Sequence, residues 1–146
     1  YSRAVAFIRS CAEGADEKTA SQLRLPAGTP LLRVSRLCTA DGRPAVYCED
    51  VFEKSLIRDD YTEEDLRQPI FHFLQQHCGV YPYLDLTDLR AIPADGKLAG
   101  ILQVPEGFPL LYMEEVDYDI DGKPVFCSAE YFADGIFRHT VMRKKL

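Results

Sequence analysis

The stretch Leu23-Arg24-Leu25-Pro26-Ala27-Gly28-Thr29-Pro30-Leu31-Leu32-Arg33 is the most informative in the chain, because its centre returns later as Val104-Pro105-Glu106-Gly107-Phe108-Pro109-Leu110-Leu111. Pro fixes φ and Gly permits positive φ, so Pro-x-Gly between apolar residues predicts a tight turn that launches a strand. Working upstream, Ala12, Ala15, Asp16, Lys18, Ala20 and Leu23 match Ala91, Ala94, Asp95, Lys97, Ala99 and Leu102 at the same offset. Downstream, after one inserted residue, Asp41-Gly42-Arg43-Pro44 matches Asp121-Gly122-Lys123-Pro124, and Phe52 matches Phe132. This self-similarity predicts two copies of one unit, about residues 4–52 and 84–132, joined by a helical segment 53–83.

Each unit reads as strand, helix and hairpin. Ala4–Cys11 and Leu84–Ala91 are apolar or alternating, as strands require. Asp16 and Asp95 are N-caps for short helices at Glu17–Leu23 and Gly96–Leu102. Strands follow at Leu31–Thr39 and Leu110–Tyr118. Asp-Gly turns then lead through Pro44 and Pro124 into return strands at Ala45–Phe52 and Val125–Phe132. A last strand is expected at Ile136–Arg143. In the joining segment, Thr62 caps a helix, with Asp65 completing a weakened capping box. Pro69–His77 carries Ile70, Phe71, Phe73 and Leu74 on an amphipathic helix that Gly79 ends. The expected architecture is one α+β domain over residues 1–146, a mostly antiparallel sheet of about six strands with helices packed on it.

Composition narrows the function. The formal net charge is −6, the sequence pI is about 5.0 and the only basic cluster is Arg143-Lys144-Lys145, read as a solvated tail. Phosphate backbones are held by clustered Lys and Arg, so this chain by itself is a poor nucleic-acid binder. Cys11, Cys38, Cys48, Cys78 and Cys127 contain no CxxC pair; no metal site and no cofactor are indicated, and the thiols read as small buried hydrophobes. No apolar run is long enough for a membrane span and no secretory signal opens the chain, so a cytoplasmic location is expected. A GxSxG elbow, a P-loop, an HExxH pair and a dinucleotide fingerprint are all absent from the sequence.

The ordered set of helix, Leu23–Arg33, strand, Asp-Gly-x-Pro and strand, with Ile70-Phe71-His72-Phe73-Leu74 and Gly79-Val80 between the copies, resembles the effector-binding (UTRA) domain of GntR-type regulators of the HutC branch. The resemblance runs from about Ala4 to Val141. It implies a chorismate-lyase-like fold, a small-molecule effector between sheet and helices, a homodimer, and an N-terminal winged helix-turn-helix domain that would make the DNA contacts. No catalytic residues are expected. The same fold leaves two other readings open: a chorismate-lyase-type enzyme and a ligand-free dimerisation module.

The resemblance also implies site residues. Arg36 falls on the first Arg of the family's Arg-x-Arg pair, whose fork suits a carboxylate or phosphate. The second Arg of the pair falls on Cys38, a return-strand Glu falls on Cys48, and a helix tyrosine falls on His72. These departures weaken the anion clamp and point to a smaller, less phosphorylated or more apolar effector. Strand alternation puts Val46, Cys48 and Asp50 on one side. By the internal match Phe126, Ser128, Glu130 and Phe132 then face the same hollow, Glu130 being suited to a cationic or hydroxylated group. A lone His within an apolar helix such as His72 is more often a packing residue than a ligand.

Overall fold

The computed structural model describes residues 3–133, 135–142 and 144. In chain order the elements are β1 (Arg3–Gly14), α1 (Glu17–Leu23), β2 (Pro30–Ala40), β3 (Arg43–Glu53), α2 (Glu63–Arg67), α3 (Ile70–Phe73), β4 (Leu84–Pro93), α4 (Gly96–Leu102), β5 (Pro109–Tyr118) and β6 (Pro124–Ala133). A 3₁₀ turn, Lys54–Leu56, follows β3, and α3 continues as a π-helical turn over Leu74–Cys78. The six strands form one antiparallel sheet in the order β1-β2-β3-β6-β5-β4. Both halves of the chain have the order strand, helix, strand, strand. Their last strands meet at the centre, where Val46 lies opposite Phe132 and Phe52 opposite Phe126.

The repeated Pro-x-Gly turn works by stitching. Asp16 caps α1 by accepting from the Thr19 amide at 2.7 Å, and Asp95 caps α4 by accepting from the Leu98 amide at 2.8 Å. After each helix the chain turns through Gly28 and Gly107, at φ +79° and +82°. The turn then bonds back to the residue before the cap: Gly28 N donates to Ala15 O at 2.8 Å and Ala15 N to Thr29 O at 2.9 Å. Ala94 makes the same two bonds with Gly107 and Phe108, each 2.8 Å. The helix is thereby clipped across the end of its own hairpin.

Asp41 and Gly42 both take positive φ, 50° and 76°, which makes the first hairpin a two-residue turn of the kind strand twist favours. The inserted residue lengthens the second turn, which Asp119 closes by accepting from the amides of Asp121 and Lys123 at 3.0 and 2.9 Å.

Two layers cover the sheet. On one face α1 packs on β6 and α4 on β3, so each helix lies over the other half's inner strand. Leu23 and Ala20 meet Leu31, Val51 and Cys127 there, and Leu98 and Leu102 meet Tyr47 and Leu110. On the other face α2, α3 and the π turn bury Leu66, Ile70, Phe73 and Leu74 against Leu32, Val34, Phe52 and Phe126. Gly79, at φ +62°, ends this helical run.

The expected final strand is a correction. Residues 135–136 form a turn and 137–142 run without strand pairing, while Arg143 lies outside the described residues. The reason is topological: β6 already has β3 and β5 on its two sides, so the chain after it crosses the sheet face. Phe137 and His139 pack on Phe132, with centroids 6.3 and 4.5 Å away. Val141 and Met142, 69% and 97% exposed, show no alternating burial.

Candidate functional site

The face of the sheet that carries α2 also carries a cavity of about 780 Å³. Its floor is Cys38 and Thr39 of β2, Val46 and Cys48 of β3, and Glu130 and Phe132 of β6. Ala4 and Val5 of β1 form one wall, and Glu64, Arg67, Gln68 and Pro69 form a lip at the end of α2. Phe137, Arg138 and His139 complete the lining, with Phe137 and His139 against Phe132. Register explains the floor: Cys48 pairs with Arg36 on one side and with Glu130 on the other, so all three point the same way.

The lip is held from two directions. Arg67 donates to the Val5 carbonyl at 3.0 Å and pairs with Glu63 at 2.9 Å, tying α2 to the edge strand. Arg36 lies below, buried, and donates to the Gln68 carbonyl at 2.7 Å while pairing with Asp50. Burial works against its charge, but the Asp50 carboxylate more than offsets this and holds the guanidinium protonated. Its Nε finds no acceptor among the described residues.

The same face is rich in carboxylates. Burial, then the charges of Glu115 and Asp50, push the Glu130 carboxyl up to about 7. Burial with Glu115, Asp85 and Asp50 does the same to Asp117, also to about 7. Asp117 Oδ2 and Ser128 Oγ are buried with no hydrogen-bond partner among the described residues. Glu130 thus changes charge near neutral pH, and it can accept from a cation or share a proton with a hydroxyl.

Four of the eight residues singled out from sequence, Cys38, Cys48, Glu130 and Phe132, line the cavity together. Arg36 and Ser128 lie on the same face outside its lining, Arg36 engaged by Asp50 and Gln68. Phe126, 1% exposed, belongs to the core under α3, meeting Phe71 edge-on at 5.6 Å. His72 is exposed and is not among the cavity's lining residues. Sequence reading missed Arg67, Gln68 and Pro69 and the stretch Phe137–His139. The Gln-Pro step was their one visible signal, since the residue before Pro leaves the helical region and ends α2. On the opposite face a hollow of about 190 Å³ is bordered by the Lys18–Glu114 ion pair.

A six-stranded antiparallel sheet with helices and a roomy cavity on one face defines a fold class, the chorismate-lyase-like fold. It superposes on the GntR-family transcriptional regulator of Enterococcus faecalis with TM-score 0.82 at 18% identity, over 97% of this chain and 100% of that one. The effector domain of PhnF from Mycobacterium smegmatis gives 0.80 at 18% identity, over 97% and 86%. The UTRA domain family model matches residues 4–138, and the chain belongs to that family. A curated relative, an uncharacterized HTH-type transcriptional regulator of Rhizobium meliloti, is 26% identical over 126 residues. That alignment takes in 82% of this chain, which spans about half (49%) of the relative's length. No helix among the described residues is long and apolar enough to cross a membrane.

Proposed function

We propose that this chain is the effector-sensing domain of a HutC-type GntR regulator rather than an enzyme. A small molecule enters the cavity over Cys38, Cys48 and Glu130 and modulates DNA binding by an N-terminal winged helix-turn-helix domain. The observation that carries this reading is the cavity itself. At about 780 Å³ it falls within the roughly 300–1,000 Å³ of small-molecule sites, and it combines apolar Val46, Phe132 and Phe137 with a few polar groups. The length of the HTH-type relative that this chain does not span supports an attached DNA reader.

Coupling follows from where the cavity's walls come from. Floor, lip and closing segment belong to different elements, so a ligand touching all three favours one arrangement of α2 and the segment after β6 over another. In a homodimer that preference changes the spacing of two DNA readers, because paired half-sites require a set separation. An edge strand with exposed Leu84, Leu86 and Leu89 supports self-association. The test is a thermal-shift screen of sugars, amino acids and carboxylates, followed by operator binding of the full-length protein with each hit. A hit should raise the melting temperature and change operator affinity. Hits that stabilise the chain but leave operator affinity unchanged would overturn the reading.

A further inference from the structure

The two edges of the sheet differ. β1 breaks register between Val5 and Phe7 and is tied to α2 by Arg67, and a bulge of that kind blunts an edge. β4 has no such break. Its ten residues pair with β5 in unbroken register from Leu84 opposite Tyr118 to Pro93 opposite Pro109, and none of them is buried. It exposes Leu84, Leu86 and Leu89 at 50%, 63% and 51%, and it carries no lysine. A long, regular, apolar edge offers a row of backbone N–H and C=O groups that a further strand satisfies.

Charge decides which strand fits. On one face of β4, Asp88 and Arg90 stand between Leu86 and Ile92. Asp88 lies opposite Glu114, a like charge, and makes no hydrogen bond or ion pair among the described residues. Arg90 leans on the Tyr112 ring and reaches Glu114 at 3.4 Å, with its side chain 57% exposed. Two identical strands paired antiparallel about a two-fold axis keep facing side chains on one face of the sheet, so the axis passes through a residue. An axis through Asp88 sets that carboxylate on its own copy, an axis through Arg90 sets two guanidiniums together, and an axis through Thr87 sets Leu86 against Asp88. An axis through Leu89 instead pairs Asp88 with the partner's Arg90, Leu86 with the partner's Ile92 and Leu89 with itself. Opposite charges directly across a strand pair stabilise it and like charges destabilise it.

We propose that two copies of this chain join edge to edge through β4, antiparallel about a two-fold axis at Leu89, so that the sheet runs on from one copy into the next. The row that meets this axis leads back to the cavity. Leu89 pairs with Met113, Met113 with Glu130 and Glu130 with Cys48, and the last two line the cavity. Two strand spacings, roughly 10 Å, separate Glu130 from Leu89. A ligand over Glu130 and Cys48 therefore bears on the strands that set the angle between the copies. The pairing stands on β4 alone; this consequence rests on the sensing reading.

The experiment is sedimentation of the chain as wild type, Asp88→Arg, Arg90→Asp and the exchange Asp88→Arg/Arg90→Asp, with cysteine cross-linking as a second measurement. Wild type should dimerise. Each single reversal sets like charges across the interface and should weaken the dimer at least about tenfold, whereas the exchange restores opposite charges and should return it to within about threefold. Facing residues have Cα atoms about 4.5–5.5 Å apart, inside the roughly 4.4–6.8 Å a disulfide spans. Leu89→Cys should thus cross-link to itself under air oxidation where wild type does not, and Leu86→Cys only when mixed with Ile92→Cys. Melting curves establish that each variant is folded. A monomeric wild type, a dimer indifferent to the single reversals, or no Leu89→Cys cross-link overturns the interface. So do open-ended oligomers, which would mean that β4 meets β1 of the next copy. A ligand that binds the cavity and changes operator affinity would then leave the sensing reading standing. The β4 dimer, with ligands that leave operator affinity unchanged, would uphold the interface and count against the sensing reading.

Discussion

Arg36 is the residue on which two accounts of the cavity diverge most sharply. As a waiting anion anchor it would contribute little to the stability of the empty domain. In the structure it is 6% exposed, bonded to Asp50 and to the Gln68 carbonyl, and so ties the sheet to the lip of the cavity. Arg36→Met keeps most of the apolar stem but strands the Asp50 carboxylate, itself 2% exposed. Removing one member of a buried pair costs about 3–5 kcal/mol. At about 2–4 °C per kcal/mol for a domain of this size, the melting temperature should fall by roughly 6–20 °C with no ligand present. Asp50→Asn should also destabilise. The double variant should be less destabilised than the sum of the singles by at least about 1 kcal/mol, because neither half is then left unpaired. Urea denaturation of the four proteins measures the cycle. A loss below about 1 kcal/mol for Arg36→Met, or strict additivity, would refute the tie.

The core beneath the lip makes a second prediction. Phe73, 1% exposed and packed against Phe52 and Tyr61, should cost about 3–5 kcal/mol as Phe73→Ala; a loss under 1 kcal/mol would mean α3 is not anchored there. Asp117 makes a third. Its carboxyl is raised from 3.8 to about 7 by burial and neighbouring carboxylates, so the folded state holds the proton more tightly than the unfolded one. That contribution is fully present below pH 3.8 and is lost as pH rises through about 7. Asp117→Asn should therefore be nearly neutral at pH 4 and stabilising at pH 8, by at most about 4 kcal/mol at 1.36 kcal/mol per pKa unit. The same change in stability at both pH values would exclude the titration.

What the chain reveals without coordinates is its local grammar. Helices α1 and α4 begin and end where Asp16, Asp95 and the Pro-x-Gly turns predict, because cap and turn chemistry act within a few residues. The Asp41-Gly42 turn was legible for the same reason. The engagement of Arg36 was not: a register shift between Cys38 and Thr39 lies just before that turn, and no turn signature reports it. Arg67, Gln68 and the Phe137–His139 stretch reach the cavity from distant parts of the chain, and no periodicity encodes that approach. His72 shows the opposite error. Its family position pointed inward, yet the flanking core residues Ile70 and Phe73 turn it outward, where it is exposed.

Chemical-shift mapping of the backbone amides with a ligand from the thermal-shift screen is the most direct test of the cavity as the sensing site. Perturbations should cluster at Thr39, Val46, Cys48, Gln68, Glu130 and Phe132, the floor and lip. A cluster instead at Lys18, Thr19, Tyr112 and Tyr131, around the smaller hollow on the opposite face, would contradict it.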